Sequence, residues 1–407
     1  MRSMANPVDV AGMMESTGSA APLHQRLWHK LIGHRTNDEF VVEHEDIFYH
    51  PDPFARTSRH KLDVYVPSET IWKSVPNGKL KPCIIFVHGG GWKRFSKRNR
   101  FTGVHQNVGR AFAKRGAVTF IPSYRLTTPS EVQLMIDHAL VIGLLASLLV
   151  SFVPELRNWM TFFLSAASIG VSAIVRRRLS PGVEHPAHTQ DVARAVAWVR
   201  LNAAKFGGDP DNITLVGHSA GAHICSMLMV EPEYLKEVSG PSPGQLAGLV
   251  AISGPYNATR MTESCLLQTF YLHPVFGHRS KWSQSFAVQR LEELGKQKRA
   301  GEGEPQTPLR RRKGVGGAEE KEKLHEIPPV LLLTVERDWG LDEHAVDFER
   351  ILEKNGVHVR RKVVMGLNHF NTISAVGRPG HVAEEVMDLV ANWALGVHSH
   401  DGKNENE

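Results

Sequence analysis

Strands and helices that alternate along the chain predict an α/β fold, with a mostly parallel central sheet covered by helices on both faces. Three observations carry this. Short continuous apolar runs recur, such as Pro82-Cys83-Ile84-Ile85-Phe86-Val87 and Ile213-Thr214-Leu215-Val216, and such runs suit strands buried on both faces. Between them lie stretches with apolar residues at helical spacing, such as Val192, Val196 and Val199 beside Ala195 and Trp198. Two strands also run straight into glycine-rich turns, His88-Gly89-Gly90-Gly91 and Gly217-His218-Ser219-Ala220-Gly221.

Taken in order, Val41 to Tyr49 and Lys61 to Val66 alternate enough for two early strands. The strand ending at Val87 follows. A helix is expected from Val104 to Arg115, stopped by Gly116. Ala117 to Pro122 is the next strand, and Thr189 to Lys205 the next long helix. Asn212 to Val216 leads into the second glycine turn, and Ala220 to Met229 is a buried helix. Leu246 to Ile252, Pro329 to Val335 and Val357 to Val364 complete the strands, and Val382 to Leu395 is a final amphipathic helix. One domain over residues 24–398 is expected, with loose tails at 1–23 and 399–407.

The chain has 407 residues, a formal charge of +6 and three cysteines. So few cysteines argue against a disulfide framework and for a reducing compartment. The amino terminus has no charged start followed by an apolar core, so no cleaved leader is expected. No zinc-type Cys/His spacing, RNA-binding signature or phosphate-cradling loop occurs. No metal, cofactor or nucleic-acid partner is therefore expected.

Two insertions interrupt the domain. Gln289 to Glu326 is rich in Lys, Arg, Glu and Gly and is expected to be disordered. Residues 131–181 contain two runs without formal charge, His138 to Pro154 and Asn158 to Val175, the second closed by Arg176-Arg177-Arg178. Each is near the lower limit of roughly 17–25 residues for a spanning helix. Lacking a polar face, they read as a membrane-associated hairpin rather than a soluble cap. The arginines favour the cytosolic side. The expected location is a membrane, endoplasmic reticulum or Golgi, with the α/β domain facing the cytosol.

Serine is a weak nucleophile until a base lies beside it. The G-x-S-x-G turn between strand and helix forces Ser219 into a sharp elbow above the sheet, where the following helix points its amides and dipole at the reacting centre. The His-Gly-Gly-Gly turn can present backbone N–H groups to a developing oxyanion. His369, in Gly366-Leu367-Asn368-His369-Phe370, follows the last strand.

Together these residues resemble the hormone-sensitive-lipase-like and carboxylesterase branch of the α/β-hydrolases. Within it, Phe86 to Trp92, Ser123-Tyr124-Arg125, Lys205 to Pro210, Gly217 to His223 and Ser253 to Asn257 are similar to prenylcysteine α-carboxyl methylesterases. The resemblance implies Ser219 as nucleophile, His369 as base, and Gly90, Gly91 and Ala220 as oxyanion donors. Its chain order places the acid after the preceding strand, where Asp338 is the first choice and Asp342 and Glu336 are alternatives. It implies hydrolysis of a lipidic or small ester, such as a prenylcysteine methyl ester. Arylformamidase-type amidases acting on N-formylkynurenine share the same machinery. A binding module on an inactive hydrolase fold is the reading of another class.

Overall fold

The structure, a computed structural model, describes residues 40–73, 80–99, 102–127, 143, 147, 163, 165–167, 182–302 and 327–396. Eight strands form one sheet: β1 Val41–Phe48, β2 Lys61–Pro67, β3 Lys81–Val87, β4 Val118–Pro122, β5 Gly208–His218, β6 Gly248–Ile252, β7 Val330–Arg337 and β8 Val359–Asn368. Their order is β1-β2-β4-β3-β5-β6-β7-β8. β1 and β2 join antiparallel, and every pair from β4 to β8 is parallel. The expected mostly parallel sheet is therefore present.

Six longer helices cover it: α1 Gln106–Lys114, α2 Ala187–Asn202, α3 Ala220–Val230, α4 Ala287–Glu302, α5 Leu341–Lys354 and α6 Ala383–Ala394. The pleat divides the strand side chains between two cores. From β3, Cys83, Ile85 and Val87 join Val192 and Val196 of α2, Ile224 and Leu228 of α3 and Phe348 of α5. Ile84 and Phe86 face the other way, with Val108 and Phe112 of α1 and Val386 and Val390 of α6. The continuous apolar runs are thus explained, because both faces of the central strands are buried.

The segment expected to be disordered from Gln289 begins otherwise. Residues 289–302 are the greater part of α4, and Leu291 is fully buried beside Val288. Its composition is that of a surface helix with a narrow apolar stripe, and Leu, Glu, Lys, Gln and Arg are good helix formers. Residues 303–326 lie outside the described residues, as do the tails at 1–23 and 399–407. The expected hairpin at 131–181 also lies outside them, apart from six helical residues at 143, 147, 163 and 165–167. There the Ser147 and Ser165 hydroxyls lie 2.7 Å apart. Among the described residues no helix is long and apolar enough to cross a membrane.

The turn after β5 is built without room for side chains. A Cβ on Gly221 would stand 2.0 Å from the carbonyl oxygen of Val87, and one on Gly217 would stand 2.4 Å from that of Gly221. The start of α3 can pack against the end of β3 only because Gly221 has no side chain. Gly221→Ala is therefore expected to destabilise the fold by about 3 kcal/mol, the upper end for overpacking. A shift of the urea midpoint checks it.

Candidate active site

In open parallel sheets, ligands bind beyond the carboxyl ends of the strands, where the strand order reverses. Here that point is β3, which has β4 on one side and β5 on the other. The turns after β3 and β5 meet there: a Cβ on Gly89 would lie 3.0 Å from the Cβ of Ser219.

Ser219 has φ 55° and ψ −122°, a left-handed backbone that a residue with a side chain seldom adopts. Its amide donates to the carbonyl of Ile252 at 2.9 Å, tying the elbow to the end of β6. Its hydroxyl oxygen lies 3.0 Å from Nε2 of His369. Nδ1 of His369 lies 2.8 Å from Oδ1 of Asp338. The histidine loop is held in turn by its own amide, which donates to the carbonyl of Arg337 at 3.1 Å. Asp338 and His369 are both buried, whereas Ser219 is partly open to solvent. The three residues form one hydrogen-bonded row, each delivered by the end of a different strand. The two alternative carboxylates lie elsewhere. Glu336 is exposed and accepts from the amide of Gly366 at 2.9 Å, and Asp342 is exposed in the first turn of α5.

The loop after β3 is fixed by its neighbours. The Tyr124 hydroxyl donates to the carbonyl of His88 at 2.9 Å, and the two rings stack 4.4 Å apart. Burial, reinforced by neighbouring His105, holds the His88 imidazole well below the usual histidine range, so it stays neutral. The carbonyl of Gly90 accepts from the amides of Lys93 and Arg94 at 3.1 and 3.0 Å, curling the loop back on itself. Gly90 and Gly91 have φ of 107° and 58°, and a Cβ on Gly90 would stand 2.3 Å from the carbonyl oxygen of Arg94. Ala220 opens α3, where the first amides of a helix have no partner within it. These are the amides an oxyanion beside Ser219 would meet.

Several residues to which the sequence analysis gave no individual role pack at or behind the site. His218, the second residue of the elbow motif, is buried, and its Nε2 lies 3.1 Å from the carbonyl oxygen of His369. Burial first, and then the nearby His369, keep its pKa well below the usual range, so His218 is a neutral strut. Arg125 of the Ser-Tyr-Arg motif holds Asp191 of α2 through two contacts of 2.8 Å, and His60 lies 3.2 Å from the same carboxylate. Burial alone would raise the Asp191 pKa, but the His60 and Arg125 hydrogen bonds outweigh it and hold it at about 2. The aromatics Trp339 and Phe370 flank Asp338 and His369 in the chain and pack beside the imidazole. Nothing in the periodicity of the sequence marked them, since both lie in loops. Among the described residues, no group of three or more His, Cys, Asp or Glu side chains could hold a metal ion.

A profile for the alpha/beta hydrolase fold matches residues 158–372, more than half of the chain. The chain is similar to the isoprenylcysteine alpha-carbonyl methylesterase ICME of Arabidopsis thaliana, at 23% identity over 209 residues, covering 50% of this chain and 34% of that protein. It is also similar to the esterase LipC of Mycobacterium tuberculosis, at 35% identity over 95 residues, covering 23% of this chain and 24% of that protein. The chain thus spans about a third of the first relative's length (34%) and a quarter of the second's (24%). Among solved structures, an inhibited form of esterase B from Lactobacillus rhamnosis aligns with TM-score 0.54 at 16% identity, covering 92% of this chain and 95% of that chain. That likeness concerns the fold. On the profile match, the chain belongs to the α/β-hydrolase fold family.

Proposed function

We propose that this chain is a serine-dependent carboxylic ester hydrolase that acts on a lipidic ester at a membrane. The observation that carries the reading is the row Ser219–His369–Asp338, with contacts of 3.0 and 2.8 Å, beside a glycine loop and a helix N-terminus. In the proposed reaction, His369 takes the hydroxyl proton as the Ser219 oxygen attacks the ester carbonyl. Asp338 keeps Nδ1 protonated, so that Nε2 is free to accept, and it stabilises the imidazolium that forms. The amides of Gly90, Gly91 and Ala220 receive the developing oxyanion. The imidazolium then protonates the leaving alcohol, and water, activated by the same base, releases the acid.

The similarity to LipC supports ester chemistry, and the similarity to the isoprenylcysteine methylesterase supports a lipidic substrate, with prenylcysteine methyl esters as one such ester. The uncharged runs from His138 to Pro154 and Asn158 to Val175, closed by three arginines, support the membrane. The Ser147–Ser165 hydroxyl pair supports packing of one run against the other.

The test is alkaline carbonate extraction of the full chain, followed by ester hydrolysis. The protein is expected to stay with the membrane. A deletion joining Ser130 to Gly182 is expected to become soluble, to keep most of its hydrolysis of a short water-soluble ester and to lose most of its hydrolysis of a long-chain one. Free extraction of the intact protein would overturn the membrane reading, and absence of ester hydrolysis would overturn the chemistry.

A further inference from the structure

Trp339 follows Asp338 directly, and Phe370 follows His369. Trp339 has φ 56°, a left-handed backbone in which a large side chain is strained, and Gly340 continues the turn at 81°. The turn lays the indole over the His369 imidazole, with ring centroids 4.7 Å apart and planes inclined by 30°. The Phe370 ring meets the indole edge to face at 4.9 Å and stands 5.8 Å from the imidazole. The two rings therefore form one aromatic ledge alongside the base. It is not a core contact, because Trp339 is 69% and Phe370 59% exposed. Screening His369 from water needs only the inner face of the indole. The outer surface, and most of Phe370, lie open.

The chemistry says what comes to that surface. Collapse of the tetrahedral intermediate breaks the bond between the carbonyl carbon and the alkoxy oxygen. Nε2 of His369 gives its proton to that oxygen, the alcohol departs, and the acyl group stays on Ser219. The alkoxy oxygen must therefore lie within hydrogen-bond reach of Nε2, on the imidazole side of the reacting carbon. The carbonyl oxygen turns the other way, toward Gly90, Gly91 and Ala220. Whatever the alkoxy oxygen carries extends past the imidazole, where the ledge stands. A methyl group is too small to cover two aromatic rings, whereas an aryl or long alkyl group can lie across both.

We infer that Trp339 and Phe370 form the subsite for the alcohol portion of the substrate, and that this portion is a bulky apolar group, aromatic or long-chain, rather than methyl. This rests on the ester-hydrolase reading and narrows it: among lipidic esters it selects those whose apolar bulk is on the alcohol side and sets aside prenylcysteine methyl esters.

The experiment uses the full chain and two ester series. One keeps a butyryl group and varies the alcohol through methyl, hexyl and benzyl. The other keeps methanol and lengthens the acyl chain. The readout is kcat/KM. The benzyl ester is expected to exceed the methyl ester by about tenfold or more, the scale of one well-placed apolar contact. Trp339→Gly, which suits the left-handed backbone, and Phe370→Ala are each expected to cut that ratio by about tenfold. The dependence on acyl length should stay within about twofold of the unaltered chain, because the proposed subsite holds the alcohol portion and not the acyl portion. Trp339→Tyr, which restores a ring, should recover most of the benzyl preference.

A benzyl-to-methyl ratio that neither variant moves, or an acyl dependence that moves equally, would overturn the subsite while the ester-hydrolase reading stood. So would an unaltered chain that prefers methyl esters. No hydrolysis in either series would overturn the ester-hydrolase reading and the subsite with it.

Discussion

Ser219→Ala is expected to lower kcat by about a million-fold and to abolish covalent labelling by a fluorophosphonate. The change removes one oxygen, the atom 3.0 Å from Nε2 of His369. The elbow itself should persist. Its backbone bond from the Ser219 amide to the Ile252 carbonyl does not involve the side chain, and the two flanking glycines that the turn requires are untouched. Thermal unfolding should therefore stay within a few degrees of the unaltered protein, so that lost activity reads as lost chemistry. The comparison of single-turnover rates checks the magnitude. Labelling that survives in the folded variant would place the nucleophile elsewhere.

Asp338→Asn is expected to lower kcat by about ten-thousand-fold with the fold intact. The carboxylate faces Nδ1 of His369 at 2.8 Å and is almost wholly buried. As an acceptor it requires the proton on Nδ1, and this leaves Nε2 bare toward Ser219. An asparagine of the same shape can instead donate to Nδ1. That favours the tautomer with the proton on Nε2, where the base can no longer accept from the serine. Asp342→Asn and Glu336→Gln serve as controls. Both carboxylates are exposed, and Glu336 accepts from the Gly366 amide, so each should change kcat less than about threefold, as is usual for surface groups without a role. A crippled Asp342→Asn beside a mild Asp338→Asn would reassign the acid.

The strands were legible because β3, β5, β6 and β7 are buried on both faces and so read as continuous apolar runs. The row of Ser219, His369 and Asp338 was legible for a related reason. Each residue stands just past a strand, so chain order and strand ends constrain it even with 22 histidines present. Among the three carboxylates, chain order favoured Asp338 over Asp342 and Glu336 without deciding between them. All three fall within seven residues, and only the turn through Trp339 and Gly340 decides which one faces the imidazole. The role of His218 was hidden as well, since its partner carbonyl lies 151 residues away. The start of α4 was misread because its charged composition outweighed an apolar stripe of Val288 and Leu291, which becomes visible only when the helix lies against α3 and α5.

The central claim is that chemistry runs through a covalent ester on Ser219. Rapid acid quench of the full chain during turnover of a slowly hydrolysed butyrate ester, followed by intact-mass and peptide-mapping spectrometry, tests it most directly. The predicted result is a transient gain of one butyryl group on the peptide containing Ser219, lost on further incubation and never formed in Ser219→Ala. Turnover of the ester with no adduct, or an adduct on a peptide without Ser219, would contradict it.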